Sequence, residues 1–213
     1  MPLRHWSILA AVAAAAWFQA TAFATVIFDN TIGSGHGITT TGFPLLGGQV
    51  TAAPGTPRTV IELDIGFTYD VVPATADLQA FLYANDGGGL PGALGTLLWQ
   101  SAVMSGVSID STNLLIPFAV PSIVVPDSFS YAASITNASS TVGYAPAFTA
   151  TVGTYNRVVA GYPSFWVALP SIFQVEARVV AASVPEPATL ALLSLGLAGL
   201  GFSRRRAAPI NVA

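Results

Sequence analysis

The sequence predicts an all-β protein, a single β-sandwich or jelly-roll-like domain, with a barrel as the alternative. Its middle part has short runs of Val, Ile, Thr, Phe and Tyr separated by Gly, Pro, Asn and Asp, which is typical of strands joined by turns. Two of these runs, Val60–Phe67 and Phe173–Val180, also alternate between apolar and polar residues with the two-residue period of a strand. Before residue 188, no window of a dozen residues has the 3.6-residue period of an amphipathic helix.

The first half of this domain carries the clearest strand. An early strand is predicted at Val26–Phe28, and the Gly- and Thr-rich stretch Gly33–Gly48 is a loop or holds weak strands. In the strand Val60–Phe67, Glu62 and Asp64 share the outward, solvated face. The apolar residues expected on its inward face are Ile61, Leu63, Ile65 and Phe67.

Later strands are predicted at Leu78–Tyr83, Leu97–Met104, Leu114–Val120, Ser128–Thr136 and Phe173–Val180. Pro117 interrupts one of them and indicates an edge strand or a bulge, because proline has no N–H to donate. In the last strand, the residues expected outward are Gln174, Glu176 and Arg178, and those expected inward are Phe173, Val175, Ala177 and Val179. The stretch Tyr144–Phe165 has no clear period.

The charge and the composition exclude several classes of function. Between Thr25 and Pro187 lie all ten acidic residues but only three arginines, so this part has a net charge near −7 (3 − 10), and the chain has no lysine. Such a surface argues against nucleic-acid binding and against charge pairing with acidic polysaccharide. The absence of cysteine excludes thiol chemistry and disulfides. His36 is the only histidine after His5, so zinc sites built on several histidines are also excluded, and we interpret it as a loop residue.

The N-terminus predicts a signal peptide at residues 1–24. Arg4 and His5 form a short basic region, Ile8–Phe18 an apolar one, and Ala22-Phe23-Ala24 an A-x-A cleavage site for signal peptidase. Ala20-Thr21-Ala22 is a second candidate site.

The C-terminus combines three features in order. Pro185-Glu186-Pro187 is followed by the apolar run 188–203 and then by Arg204, Arg205 and Arg206. The run is shorter than the roughly 20 residues of a typical transmembrane helix, but snorkelling arginines and local thinning of the bilayer compensate for a modest shortfall. The arginines mark the cytoplasmic side under the positive-inside rule, and residues 207–213 form a short cytoplasmic tail. The domain, residues 25–183, is therefore expected on the opposite side.

These three features closely resemble the PEP-CTERM sorting signal, which covers residues 184–206. The resemblance implies that an exosortase, a membrane-embedded enzyme of Gram-negative bacteria that make exopolysaccharide, cuts near Pro185-Glu186-Pro187 and removes the helix and the arginines. It implies an inner-membrane intermediate followed by release to the cell surface or the medium.

The domain resembles the choice-of-anchor module, an extracellular β-sandwich. In those modules a strand with a Leu-Tyr pair enters a Gly-Gly-x-Pro-Gly loop before an apolar strand. Here the corresponding residues are Leu82-Tyr83 and Gly88-Gly89-Leu90-Pro91-Gly92. The resemblance covers most of Val60–Val180 and implies a fold, with no assigned activity.

Three patterns are candidates for chemistry. Glu62 and Asp64 are spaced as paired carboxylates of glycoside hydrolases are, although any outward strand face places acids in this way. Asp86, in the turn after Asn85, offers oxygen ligands for calcium but lacks a second acid in the loop. Trp99, Trp166 and Tyr155 are candidates for stacking on sugars, with core packing as the alternative.

The sequence thus favours an exported surface or matrix protein with a structural or adhesive role in exopolysaccharide or biofilm, and not an enzyme. A carbohydrate-binding module and a secreted glycan-acting enzyme using Glu62 or Asp64 are the alternatives. No cofactor is expected, apart from the calcium alternative.

Overall fold

Fifteen β-strands make up the regular structure in the computed structural model, which describes residues 23–31, 38–39, 45–87, 95–162, 165–169 and 174–182. The strands are β1 Ala24–Asp29, β2 Ile38–Thr39, β3 Leu45–Thr51, β4 Thr59–Tyr69, β5 Ala74–Ala84, β6 Leu97–Gln100, β7 Met104–Ile109, β8 Leu114–Val124, β9 Ser128–Thr136, β10 Val142–Tyr144, β11 Pro146–Ala147, β12 Thr154–Tyr162, β13 Phe165–Leu169, β14 Gln174–Val175 and β15 Ala177–Ala182. The predicted all-β class is confirmed.

The strands form two large antiparallel sheets and one small one. Sheet A has the order β1-β15-β4-β10-β2, with β8 also paired to β4. Sheet B has the order β13-β12-β3-β9-β5-β6, with β7 also paired to β5. Strands β11 and β14 form the two-stranded sheet. The predicted jelly-roll connectivity stays a prediction.

Both large sheets contribute to one apolar core. Leu63 and Phe67 from sheet A and Leu78, Leu82 and Phe129 from sheet B belong to the same buried cluster and are fully inaccessible to water. Burying such side chains contributes roughly 1.5–3 kcal/mol each, so a chain of this length needs no disulfide to hold the domain together.

The inward face of β4 differs from the prediction at one residue. Val60 is in the core and Ile61 is only half-buried, because the register between β4 and β8 shifts between Val60 and Glu62. A bulge of this kind moves the alternation of side chains by one residue. The remaining inward residues, Leu63, Ile65 and Phe67, are buried as predicted.

Two predicted strands are each divided in the structure. Leu97–Met104 separates into β6 and β7, which pair with different parts of β5. Phe173–Val180 separates into β14 and β15 on either side of Glu176, and Phe173 lies outside the described residues. The edge predicted from Pro117 is confirmed, since β8 pairs only with β4 among the described strands.

The first and last strands of the domain lie side by side. Ala24 of β1 pairs with Ala182 of β15, Ala182 pairs with Thr59 of β4, and Thr59 pairs with Val124 of β8. We call this row of four residues the terminal end. The turn of residues 70–73 between β4 and β5, the hairpin end, is about 33 Å away, because β4 has eleven residues at about 3.3 Å each.

A buried asparagine bridges the break at Glu176. The Asn30 side chain is inaccessible to water; its Nδ2 donates to the carbonyl of Val175 at 3.0 Å, and its Oδ1 accepts from the N–H of Ala177 at 2.7 Å. The same Nδ2 also donates to Oε1 of Gln174 at 3.1 Å. Asn30 therefore supplies the acceptor for the buried Ala177 N–H and a second donor to the Val175 carbonyl, which also accepts from the Tyr131 hydroxyl.

The substitution Asn30→Ala is expected to lower the free energy of unfolding by about 2 kcal/mol, because it leaves the buried N–H of Ala177 without an acceptor. Urea unfolding of residues 23–183, followed by circular dichroism, measures this loss. Asn156→Ala is the control, since this exposed side chain bonds only to the Thr51 hydroxyl in the described structure, and its loss should stay within about 0.5 kcal/mol. Equal losses from both variants would contradict the assigned role of Asn30.

Candidate functional site

The outward face of sheet A carries a row of charged side chains. Cross-strand pairing places Asp29 beside Arg178 and Arg178 beside Asp64, while Glu62 lies two residues from Asp64 on the same face of β4. Arg178 Nε donates to Asp64 Oδ2 at 2.7 Å, and Nη2 lies 3.6 Å from Glu62 Oε1. The outward direction predicted for Glu62, Asp64 and Arg178 thus brings the three together, although Arg178 lies 114 residues from Asp64 in the sequence.

The prediction that Asp64 is solvated is wrong. Its side chain is only 2% exposed, whereas those of Arg178 and Glu62 are 40% and 42% exposed. Burial raises the pKa of Asp64, and the hydrogen bond and positive charge of Arg178 oppose this rise. The hydrogen bond to Asp64 in turn raises the pKa of Arg178.

Glu176 was also expected to face water, and this is wrong as well. It is 4% exposed and lies over Gly66 of β4, where a Cβ on Gly66 would overlap the Glu176 side chain. Its backbone N–H donates to Ala145 and its carbonyl accepts from Gly66. Burial raises the pKa of Glu176 to about 7, against a hydrogen bond from Asn113 that lowers it, so much of this carboxyl is protonated at neutral pH.

One oxygen of each buried carboxyl group has no hydrogen-bond partner in the described structure: Asp64 Oδ1 and Glu176 Oε2. Among the described residues, no group of three or more His, Asp or Glu side chains is placed to hold a metal ion. The Asp64–Arg178 ion pair is half-buried, because Arg178 stays 40% exposed, and Glu176, with its pKa raised to about 7, is partly protonated at neutral pH. A substrate in solution does not reach the Asp64 carboxylate.

The aromatic residues singled out in the sequence lie in different environments. Trp99 is half-buried and packs against the core, opposite Leu82. The Tyr155 hydroxyl accepts from the N–H of Val175 at 3.3 Å, and the pKa of Tyr155 is raised by burial. Trp166 lies on β13, and its side chain is outside the described residues.

A second aromatic group was missed in the sequence. Phe81 and Tyr83 lie on the outward face of β5, with ring centroids 6.2 Å apart and planes at 23°. Gln79 and Asn85 continue the same alternate positions, so two amides flank the two rings. In β5, the residues that alternate with this row are buried. This alternation is the signal in the sequence that could have identified the row.

Asp86, the candidate calcium ligand, already has hydrogen-bond partners. Its Oδ1 accepts from the N–H of Thr96 at 2.6 Å and its Oδ2 from the Thr96 hydroxyl at 2.8 Å. These bonds lower the pKa of Asp86 and join the residues on either side of the segment 88–94. The Gly-Gly-x-Pro-Gly sequence, residues 88–92, and His36 lie outside the described residues.

The described chain stops at Ala182, immediately before the C-terminal features. The predicted cleavage residues Pro185, Glu186 and Pro187, the apolar run and Arg204, Arg205 and Arg206 all lie outside the described residues, as does Ala22 of the predicted signal peptidase site. Ala24, the other residue of that site, is the exposed first residue of β1. Over the ranges that the structure describes, there is no helix with the length and apolar character needed to cross a membrane.

Comparison with protein families decides the nature of the C-terminal segment. Residues 183–206 match the PEP-CTERM protein-sorting motif. The PEP-CTERM motif indicates an exported protein that is sorted by an exosortase and anchored in the membrane before processing. The resemblance stated for the C-terminus is confirmed, with a boundary one residue earlier than predicted. No curated protein and no solved structure matches the chain, and the resemblance to a choice-of-anchor module has no support from these comparisons.

Proposed function

We propose that this chain is a non-enzymatic surface or matrix protein of a Gram-negative bacterium, with a structural or adhesive role in exopolysaccharide or biofilm. Signal peptidase removes residues 1–24, the C-terminal helix holds the intermediate in the inner membrane, and an exosortase releases it. The observation that carries this proposal is the PEP-CTERM motif, which follows the last strand of the domain without a gap. Net negative charge and the absence of lysine agree with a soluble extracellular role.

Replacing Pro185-Glu186-Pro187 by three alanines is expected to abolish processing, since the exosortase is proposed to recognise this tripeptide. Intact mass spectrometry of protein from cells and medium should show a shortened C-terminus in the wild type and the full C-terminus in the variant. Pro209→Ala, outside the matched motif, should be processed normally. A wild-type protein that keeps residues 188–213, both in normal cells and in a strain without exosortase, would contradict the proposal.

The rival enzyme hypothesis needs two carboxyl groups that open to a substrate. Asp64 is enclosed and bonded to Arg178, which leaves Glu62 without an accessible second acid on this strand. This arrangement supports a structural role for the charged row.

For the fold we propose a β-sandwich of the choice-of-anchor type, supported by two large sheets that share one core.

The row Gln79-Phe81-Tyr83-Asn85 favours a second candidate function, binding of a neutral polysaccharide. Aromatic faces pack against the C–H faces of sugar rings, and amide groups exchange hydrogen bonds with hydroxyls. The Gln79 amide donates to the Ser101 carbonyl at 2.8 Å, and the Asn85 side chain bonds to Ser128 and Ser130, so both amides are fixed in position. Two rings on one face of β5, with their planes at 23°, offer apolar surface to an extended chain of sugars.

Phe81→Ala and Tyr83→Ala are each expected to weaken binding to purified cell-surface polysaccharide about five- to tenfold, corresponding to about 1–1.4 kcal/mol per lost ring. Isothermal titration calorimetry or affinity electrophoresis measures the change. Phe148→Ala, which removes a 59% exposed phenylalanine outside this row, is the matched control and should bind as the wild type does. Equal binding by all three variants would remove this candidate function.

A further inference from the structure

One arginine of the domain has no anionic partner. The other two, Arg58 and Arg178, each form a salt bridge with an aspartate. The guanidinium of Arg157 forms neither a salt bridge nor a hydrogen bond within the part of the chain that the structure describes, although the residue is half-buried. Because a guanidinium group only donates hydrogen bonds, Arg157 is suited to a ligand with acceptor oxygens.

Arg157 lies at one end of a row of side chains that crosses sheet B. The strand register pairs Arg157 of β12 with Gln49 of β3. It then pairs Gln49 with Ser130 of β9, and Ser130 with Tyr83 of β5. Each of the four is next in the sequence to a residue of the buried core, so all four lie on the outward face. We call them the crossing row; at about 4.8 Å between strands, it is about 14 Å long.

The crossing row is polar and contains no acid. The Gln49 amide, beside Arg157, also has no hydrogen-bond partner within the described structure. The Ser130 hydroxyl donates to Oδ1 of Asn85 at 2.6 Å. A parallel row on the same face consists of hydroxyl and amide groups: Thr154, Thr51, Ser128 and Asn85. The two rows together offer hydrogen bonds to a ligand that carries many hydroxyl groups.

The two acids that are adjacent in the sequence to the parallel row are bonded elsewhere. The carboxylate of Asp86 accepts hydrogen bonds from Thr96. The carboxylate of Asp127 pairs with Arg58. Neither of them forms a salt bridge with Arg157. The charge of this guanidinium is therefore left for a ligand.

The chemistry of this face indicates which ligand would bind. Hydroxyl and amide groups beside the Tyr83 ring suit sugars, and a guanidinium binds a carboxylate through two parallel hydrogen bonds. The ten acids and three arginines of residues 25–187 give a net charge near −7, which repels a densely charged polysaccharide. A phosphate group carries more negative charge than a carboxylate and is repelled more strongly. A single unpaired cation therefore favours a chain in which a few carboxylates are scattered among neutral sugars.

We propose that Arg157 binds a carboxylate substituent of an otherwise neutral polysaccharide, whose chain lies along the crossing row toward Tyr83. This inference rests on the second candidate function above, because Tyr83 also belongs to the row Gln79-Phe81-Tyr83-Asn85. It adds the chemical class of the substituent and the residue that recognises it.

Purified cell-surface polysaccharide is the probe, used before and after carbodiimide-mediated reduction of its carboxyl groups to alcohols. Its binding to the full-length chain, in a polyoxyethylene detergent that contains no sugar, is measured by biolayer interferometry at low salt. We expect reduction to weaken binding by the wild type about fivefold, which is the effect of one partly exposed charge pair. Arg157→Gln should bind both forms equally, with the affinity that the wild type has for the reduced form.

Ala138→Asp is the control for net charge. It changes the charge by the same one unit as Arg157→Gln, at an exposed turn after β9 whose Ser139 bonds to Thr75 near the hairpin end. This variant should keep the preference for the unreduced form, and circular dichroism checks that both variants are folded. If the wild type binds the two forms equally, or if Arg157→Gln keeps the preference, the inference is overturned and the sugar-binding function stands. If neither form binds the wild type, both are overturned.

Discussion

The variant Arg178→Gln is expected to lose about 3 kcal/mol of unfolding free energy at pH 7, because it leaves the Asp64 carboxylate buried without a cation. Fully buried ion pairs typically lose 3–5 kcal/mol when one partner is removed. We expect the lower end of that range, since Arg178 keeps two-fifths of its side chain in water while Asp64 is only 2% exposed. Urea unfolding at pH 7 measures the loss.

A second substitution separates the lost charge pair from lost packing. Adding Asp64→Asn to Arg178→Gln should restore at least half of the lost stability, because the neutral amide no longer requires a cation. Asp127→Asn is the control for an exposed pair: its carboxylate is 83% exposed, so breaking the contact with Arg58 should cost less than about 1 kcal/mol. Equal losses from Asp127→Asn and Arg178→Gln would show that burial of Asp64 has no energetic consequence.

The free energy of unfolding of the domain is expected to fall as the pH rises, and the variant Glu176→Gln is expected to lose most of this pH dependence. The pKa of Glu176 is raised from its ordinary 4.5 to about 7 by burial, so the folded state holds a proton that the unfolded state has released between these two values. Stability therefore falls as the pH rises from about 4.5 to 7 and levels off above 7. At about 1.4 kcal/mol per pH unit, the full loss is about 3 kcal/mol.

Unfolding measured at several pH values between 5 and 8 tests this prediction. The wild type should become less stable with rising pH, and the difference between the wild type and Glu176→Gln should change by about 2 kcal/mol or more over this interval. Asp64, whose pKa is also raised, contributes in the same direction in both proteins and largely cancels in the difference. Asp70→Asn, at an exposed position, is the control, and a parallel pH profile for the wild type and Glu176→Gln would contradict the burial of this acid.

Sequence reasoning succeeded where the information is local. Ser128–Thr136 was predicted with the bounds that β9 has, because its β-forming residues lie between clear turn residues. Pro117 marked an edge through its missing N–H, which is a property of one residue. The sorting motif was recognised for the same reason, since a sorting signal is read along the chain.

The burial of Asp64 and Glu176 and the role of Asn30 could not be predicted, and the reason is physical. Alternation gave the correct outward direction for Asp64, but it does not show that the carboxyl group is buried or that its ionic partner is Arg178, 114 residues away in the sequence. Glu176 is enclosed through a strand break and the neighbouring Gly66, and neither feature leaves a periodic signal. Asn30 resembles any turn asparagine until β14 and β15 are placed beside it. These groups are defined by long-range contacts that a single sequence does not display.

The pairing of β1 with β15 also bears on how the chain crosses the membrane during export. The first strand to emerge on the far side has its partner in the last strand, so sheet A lacks a neighbour for β1 until nearly the whole domain has passed. Contacts between such distant segments form late, since closing a long loop costs conformational entropy before the contact contributes any stability. We therefore expect the chain to stay unfolded, and able to thread through a narrow translocation pore, until the segment that anchors it arrives.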